Sequence, residues 1–277
     1  MAVGVVDALV LGVVEGLTEF LPVSSTGHLT IVEGLLGLPV NDTAEGQAVT
    51  AFTAVIQVGA IVAALIYFAS DIKRFVLGFV GGLRSAQGRR TEDWRMSLVV
   101  IVGTIPIGIV GLALKNVITG ALFRSLVTVA LALIVWSGAM IFAERRATQR
   151  RHEGDVTLTD GLLIGLAQCL ALVPGVSRSG ATISAGLLRG LDRVEATRLS
   201  FFLAIPALVA AGGLELPKAL GKDVGAVPLL IGTIVSFVVG YATIALLLRF
   251  VARHSIAAFV PYRVALGVVV LGVLAVT

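Results

Sequence analysis

Charge is what this sequence has least of. Only 14% of its 277 residues are Asp, Glu, Lys or Arg, against about 25% in a soluble chain. No stretch is polar enough to read as a soluble second domain, so residues 1–277 are expected to form a single polytopic membrane domain. One cysteine, Cys169, excludes an internal disulfide and says little about compartment. Zinc-ligand spacing, a Walker loop, a dinucleotide fingerprint and a Gly-x-Ser-x-Gly elbow are all missing, so each of those chemistries lacks its usual signature. The opening Met1–Asp7 has no positive n-region and is expected to belong to the mature chain, not to a cleaved signal peptide.

What is present is apolar. Hydrophobic residues make up 57% of the chain and the mean hydropathy is +1.01. Glycine is abundant, with 32 residues, as where membrane helices pack closely. Six segments are long enough to span, since about 20 residues cross the hydrocarbon. They run near 49–68, 97–114, 126–142, 199–216, 227–250 and 258–276. Two more apolar stretches, 3–38 and 158–191, are interrupted in the middle, at Leu21-Pro22-Val23-Ser24-Ser25-Thr26-Gly27 and at Pro174-Gly175-Val176-Ser177-Arg178-Ser179-Gly180. Each half is too short to span and reads as one arm of a re-entrant hairpin.

The chain also repeats itself. Asp7–Glu15 resembles Asp160–Gln168, and without a gap Val23-Ser24 falls on Val176-Ser177 and Gly27 on Gly180. Each half is then one re-entrant hairpin plus three transmembrane helices. Three is odd, so the second half starts from the opposite side. The expected fold is an all-α integral membrane protein with an inverted-topology repeat, residues 1–150 and 155–277, and paired breaks of this kind point to a midplane site.

The net charge of +4 would suit nucleic acid, but the placement of the basic residues argues for membrane orientation instead, and no nucleic-acid partner is expected. Lys73, Arg74, Arg84, Arg89, Arg90 and Arg95 crowd the loop after the first span, and Arg145, Arg146, Arg150 and Arg151 follow the third. Arg189, Arg193 and Arg198 flank the second hairpin, and Arg249, Arg253 and Arg263 lie between the last two spans. If the hairpins do not cross, these share one side, and the other holds only Lys115, Arg124, Lys218 and Lys222. The crowded side is cytoplasmic, so both termini face outward. Trp94 and Trp136 are expected as interfacial anchors.

The two breaks carry the chemistry. Glu15 and Glu19 are four apart and share one helix face. Pro22 ends that helix, and Ser24, Ser25 or Thr26 can cap a new one. In the second break Gly175 and Gly180 allow close backbone approach, Ser177, Ser179 and Thr182 offer hydroxyls, and Arg178 offers a planar fork for phosphate. Intramembrane acids usually have a function, and Mg²⁺ typically uses one or two carboxylates plus phosphate oxygens, so Glu15 and Glu19 are candidate metal ligands. His28 stands where a nucleophile or general base would be useful. Gln168, in the place of Glu15, would orient a ligand or satisfy backbone. The residues alone indicate binding of a phosphorylated ligand near the midplane, with Mg²⁺ as a candidate metal.

Glu15–Glu19 with the following Phe20–His28, and Pro174–Thr182, resemble the two signature motifs of undecaprenyl-diphosphate phosphatases, the bacitracin-resistance family. The resemblance covers essentially the whole chain. It implies a phosphatase of the bacterial cytoplasmic membrane that releases the terminal phosphate of a polyprenyl diphosphate on the outer side, returning undecaprenyl phosphate to cell-wall synthesis. It also implies a divalent cation, Mg²⁺ or Ca²⁺. On this chain Arg178 would clamp the diphosphate with Ser177, Ser179 and Thr182; Ser24, Thr26, Gly175 and Gln168 would complete the binding set. Glu15 and Glu19 would hold the metal, and Ser25 and His28 are the candidates for nucleophile and base, with direct attack by water left open. The expected partners are membrane lipid and the lipid substrate, and a homodimer is compatible with this reading. The rival class is a polyprenyl-phosphate flippase using the same anion site, since inverted repeats and broken helices are transporter features. A carrier, however, has no need of two acids plus a nucleophile candidate.

Overall fold

The computed structural model describes residues 3–39, 43–114, 125–220 and 225–276, with 214–220 as helix backbone alone. Among the described residues the regular structure is helical, apart from one isolated bridge between Arg151 and Leu191. Lys115, Arg124 and Lys222, the side chain of Lys218, and Thr277 lie outside what is described. Six helical stretches are long and apolar enough to cross a membrane: Ala44–Tyr67, Glu92–Ala113, Leu126–Arg146, Arg193–Gly213, Ala226–Val251 and Ile256–Val276. They coincide with the six expected spans. This is an all-α, multi-pass membrane architecture.

The helices in chain order are α1 Val5–Thr18, α2 Ser25–Leu35, α3 Ala44–Tyr67, α4 Ala69–Arg84, α5 Glu92–Ala113, α6 Leu126–Arg146, α7 Leu158–Cys169, α8 Arg178–Leu188, α9 Arg193–Leu220, α10 Ala226–Val251 and α11 Val260–Val276. The four arms of the broken stretches, α1, α2, α7 and α8, have 14, 11, 12 and 11 residues. At 1.5 Å per residue each is about 16–21 Å long, well short of a hydrocarbon core of about 30 Å.

Close packing of glycine faces positions these arms. A Cβ on Gly12 of α1 would lie 2.6 Å from the Gly232 carbonyl of α10, and one on Gly165 of α7 would lie 2.1 Å from the Gly103 carbonyl of α5. Small residues at both faces let the backbones touch, which is how helices associate where no hydrophobic drive exists between them. Both first arms begin alike. The Asp7 carboxylate accepts from the Gly4 N–H at 2.9 Å, and the Asp160 carboxylate accepts from the Thr157 N–H at 2.9 Å.

Two expectations about the basic and aromatic residues need correction. Lys73, Arg74 and Arg84 do not lie in a loop; they ride on α4, which follows α3 directly and buries Phe75 and Gly82 on its inner face. Several of the basic residues near the helix ends are paired. Arg198 meets Asp71 at 2.8 Å, Arg74 meets Asp93 at 2.8 Å and also Glu153, and the buried Asp160 receives Arg151 and Arg189. Of the two tryptophans, Trp94 lies in the first turn of its span, whereas Trp136 is not near a helix end. Trp94 stacks on Phe79 (5.4 Å, 18°) and fills the space over Gly82, tying α5 to α4. Trp136 sits halfway along α6, with its indole N–H buried and unpartnered. An aromatic cluster packs under the first break, where Phe20 meets Phe201 edge-on at 5.5 Å and Phe68 meets Phe202 at 5.2 Å.

Candidate active site

Both breaks end in the same backbone device. Ser24 precedes α2 with φ 77°, and Ser177 precedes α8 with φ 77°. A non-glycine residue in this left-handed region is strained, and such strain gathers at functional sites. The turn sends Ser25 and Arg178 into the first turns of α2 and α8. Gly175 holds the approach to the second turn at φ +100°, and a Cβ there would lie 2.4 Å from the Val129 carbonyl.

The breaks meet face to face. The Gly175 N–H donates to Ser24 Oγ at 3.1 Å, and Ser179 Oγ donates to the Leu21 carbonyl at 3.0 Å. Arg178 Nη2 donates to Glu19 Oε1 at 2.7 Å, and Ser25 Oγ donates to Glu19 Oε2 at 2.6 Å. Glu19 therefore joins the two halves: one oxygen takes the guanidinium and the other takes the hydroxyl. An open cavity of about 210 Å³ lies over this group, with Glu19, Ser24, Ser25, Thr26, Ser177 and Arg178 in its wall. Thr18, Gln57 and Gln168 complete its polar lining.

Other expected site residues lie outside that wall. Glu15 is buried one turn below Glu19, beside Gln57, and neither of its oxygens has hydrogen-bonding geometry to a partner among the described residues. Gln168, its counterpart in the second half, does reach the cavity, though it is buried and its amide has no partner among the described residues. Thr182 turns its hydroxyl to the Arg178 carbonyl at 2.8 Å and to Ser200 at 2.5 Å. Ser179 is committed to Leu21, and Gly175 to Ser24. His28 is also turned away: Nδ1 meets the Ser24 carbonyl at 2.7 Å and Nε2 meets Tyr262 Oη at 2.6 Å. A carbonyl only accepts, so Nδ1 carries the proton and Nε2 accepts from the tyrosine.

Sequence reasoning missed the residue behind both breaks. Arg263 was assigned to the loop between the last two spans, but it is on α11 and fully buried. Its guanidinium donates to the carbonyls of Pro22 (2.8 Å), Gly175 (2.9 Å) and Val176 (3.1 Å), and reaches Ser137 Oγ at 3.2 Å and the Leu133 carbonyl at 3.4 Å. Among the described residues no carboxylate pairs with it. The available signal was a lone arginine inside an otherwise apolar span. Gln57, a polar residue in an apolar span, could have been found the same way.

A metal fits this chemistry in part. No group of three or more His, Cys, Asp or Glu side chains gathers among the described residues. Mg²⁺ does not need one: one or two carboxylates and phosphate oxygens suffice. The unpartnered Glu15 carboxylate, next to Glu19, is the donor set of that kind.

Comparison with known proteins gives the family. Residues 8–269 match the family model described as Bacitracin resistance protein BacA. The chain is 56% identical to Undecaprenyl-diphosphatase 3 of Frankia casuarinae over 96% of its own length and 95% of the relative's. It is 56% identical to Undecaprenyl-diphosphatase 1 of Streptomyces coelicolor over 99% and 97%, and 51% identical to an undecaprenyl-diphosphatase of Mycobacterium sp. (strain KMS) over 96% and 95%. With one model matching nearly the whole chain and relatives this similar end to end, the chain belongs to the bacitracin resistance protein BacA family.

Proposed function

We propose that this protein is a membrane undecaprenyl-diphosphate phosphatase, releasing inorganic phosphate and leaving undecaprenyl phosphate. The observation that carries the reading is Glu19 bound at once to Arg178 and Ser25 in the wall of a cavity between two broken helices. A cation and a hydroxyl gathered on one acid are a set of groups suited to phosphoryl transfer.

Arg178 grips the terminal phosphate, with the free N–H groups at the starts of α2 and α8 and the hydroxyls of Ser24, Thr26 and Ser177 around it. Ser25 Oγ attacks the terminal phosphorus, its proton passes to Glu19, and the anhydride P–O bond breaks to release undecaprenyl phosphate. Water then attacks the phosphoserine and frees phosphate. Ser25 is favoured over His28 because its hydroxyl already donates to Glu19 at 2.6 Å, whereas both imidazole nitrogens are engaged. His28 holds the Ser24 turn, and Tyr262 holds His28. Glu15 and Glu19 are the residues that would hold a divalent cation, Mg²⁺ or Ca²⁺. When bound, it supplies positive charge against the phosphate oxygens. Gln168 orients the ligand from the other side of the cavity.

The architecture we infer is one domain over 1–277, made of two inverted repeats, about 1–150 and 155–277, each with a re-entrant hairpin. The matched Ser24 and Ser177 turns, and the matched starts of α1 and α7, support it. In this reading α4 is an extra helix of the first repeat, on the cytoplasmic side with the basic residues, and the cavity opens outward from the bacterial cytoplasmic membrane. The test is phosphate release from undecaprenyl diphosphate by purified protein in detergent, with and without chelator. Release that stops on chelation supports the reading, and no release under any metal overturns it.

A further inference from the structure

The anion cavity does not end at its polar wall. Its other wall is Ile107 of α5 with Ala207, Leu208 and Ala211 of α9. A second cavity of about 270 Å³ lies in a furrow between the same two helices, lined by Val100 and Ile101 of α5 and by Phe202, Ile205 and Pro206 of α9. Residue numbers rise together across the furrow, so the two helices run parallel. From Ile101 to Ile107 is about 9 Å along α5, and on α9 the two linings are consecutive at Pro206 and Ala207. Phe75 and Phe79 of α4 also line the chamber. Its one polar side chain, Ser97, already donates to the Trp94 carbonyl at 2.7 Å. Ile101, which lines the chamber, and Ile105 on the same helix are exposed.

We propose that this furrow holds the polyprenyl chain of the substrate, leading from the diphosphate at Arg178, past Ile107 and Leu208, into the apolar chamber beside α4. The inference rests on the diphosphatase reading above. A prenyl chain offers no hydrogen bond and asks for none, which matches a chamber with no free polar group. Lipid tails are as apolar as the chain, so the furrow contributes shape contact more than hydrophobic drive. Shared walls select this route: α5 and α9 build both the apolar side of the anion cavity and the chamber. A further apolar chamber is lined by Val135 and Trp136 of α6 and by Val173 and Val176 of the second break. Its lining comes from α6 and the break itself, with none from α5 or α9, and it includes the polar Thr128.

The experiment compares two substrates on the full-length protein in detergent. Undecaprenyl diphosphate has eleven isoprene units, by its chemistry, and geranyl diphosphate has two and ends near the anion cavity. Val100→Phe and Val76→Trp fill the chamber from two different helices, and Val135→Trp fills the rival one. Each furrow variant should raise KM for undecaprenyl diphosphate about tenfold, the size of a lost well-packed contact of about 1.4 kcal/mol. The constants for geranyl diphosphate should stay within about twofold of wild type, and Val135→Trp should change neither substrate. Equal shifts for both substrates, no shift, or a length-dependent loss in Val135→Trp would overturn the assignment. A wild-type protein that releases no phosphate from either diphosphate would instead refute the phosphatase reading. The furrow is then judged on wild-type protein with a prenyl diphosphate carrying a diazirine at the chain end. Attachment to α4, α5 or α9 supports the furrow, and attachment to α6 refutes it.

Discussion

Replacing Arg263 with methionine keeps much of the side-chain volume and removes every donor. The structure sets the cost. The guanidinium serves three carbonyls at the two breaks, Pro22, Gly175 and Val176, at 2.8, 2.9 and 3.1 Å, in a place with no solvent access. Stranding a buried acceptor costs about 1–3 kcal/mol, so three come to roughly 3–9 kcal/mol. An apolar side chain recovers part of that, because burying a cation is itself costly. A net loss of about 3 kcal/mol is expected, at the upper end of ordinary single substitutions. At 2–4 °C per kcal/mol the thermal midpoint should fall by roughly 6–12 °C. Phosphate release should fall with it, since Ser25 and Arg178 hang on turns whose carbonyls have been freed. Arg263→Lys retains the charge but cannot reach three carbonyls from one nitrogen, so it should keep more stability than activity. The assays are thermal unfolding in detergent alongside kcat and KM. A methionine variant with the wild-type midpoint and wild-type kcat would refute the clamp.

Glu15→Gln and Glu19→Gln keep size and remove charge, so each should lower kcat and weaken the response to Mg²⁺ in a metal titration; unchanged titrations would remove both from the metal site. If Ser25 attacks phosphorus, rapid quench should trap an acid-stable phosphoenzyme that is absent in Ser25→Ala, whereas an acid-labile adduct lost in His28→Ala would reverse the assignment. Arg178→Lys keeps charge but loses the fork, and should cost about 2.7–4 kcal/mol of transition-state binding, roughly a hundred- to thousandfold in kcat. In a Cys169→Ser background, a cysteine at Gln87 should be protected from an impermeant thiol reagent in intact cells and one at Val276 should label; the reverse pattern would invert the orientation.

The spans were legible because twenty apolar residues in a row leave few alternatives. The breaks were legible because Pro22 and Pro174, with clustered serines and glycines, cannot continue a helix between apolar arms. The helix α4 was not. Its apolar residues are interleaved with Lys73, Arg74 and Arg84, so total hydropathy reads as a basic loop, while the positions of Phe75, Phe79 and Gly82 follow the helical period. A search for spans discards that pattern; a search for a period of 3.6 retains it.

Within the site, the sequence located the polar groups but not their directions. Ser177 and Arg178 line the cavity while Ser179 and Thr182 turn away, although all four fall in a run of six residues. A helix turns 100° per residue, so its start fixes which hydroxyls face the ligand, and that start is set by the left-handed turn at Ser177. Nothing local announces that a serine will take that turn. The bonds that hold it come from far away in the chain: the Gly175 N–H meets Ser24 Oγ, and the carbonyls of Gly175 and Val176 meet Arg263. Arg263 itself was hidden by its neighbourhood. Counted with Arg249 and Arg253 it looked like one more orienting charge, yet it falls inside the apolar run that opens at Ala258. The rule that made Glu15, Glu19 and Arg178 candidates, that a charge inside a span has a partner and a purpose, applies to it equally. Applied to every span, that rule yields an unplaced cation in α11 to set beside the two unplaced breaks, and three Arg263 hydrogen bonds join them.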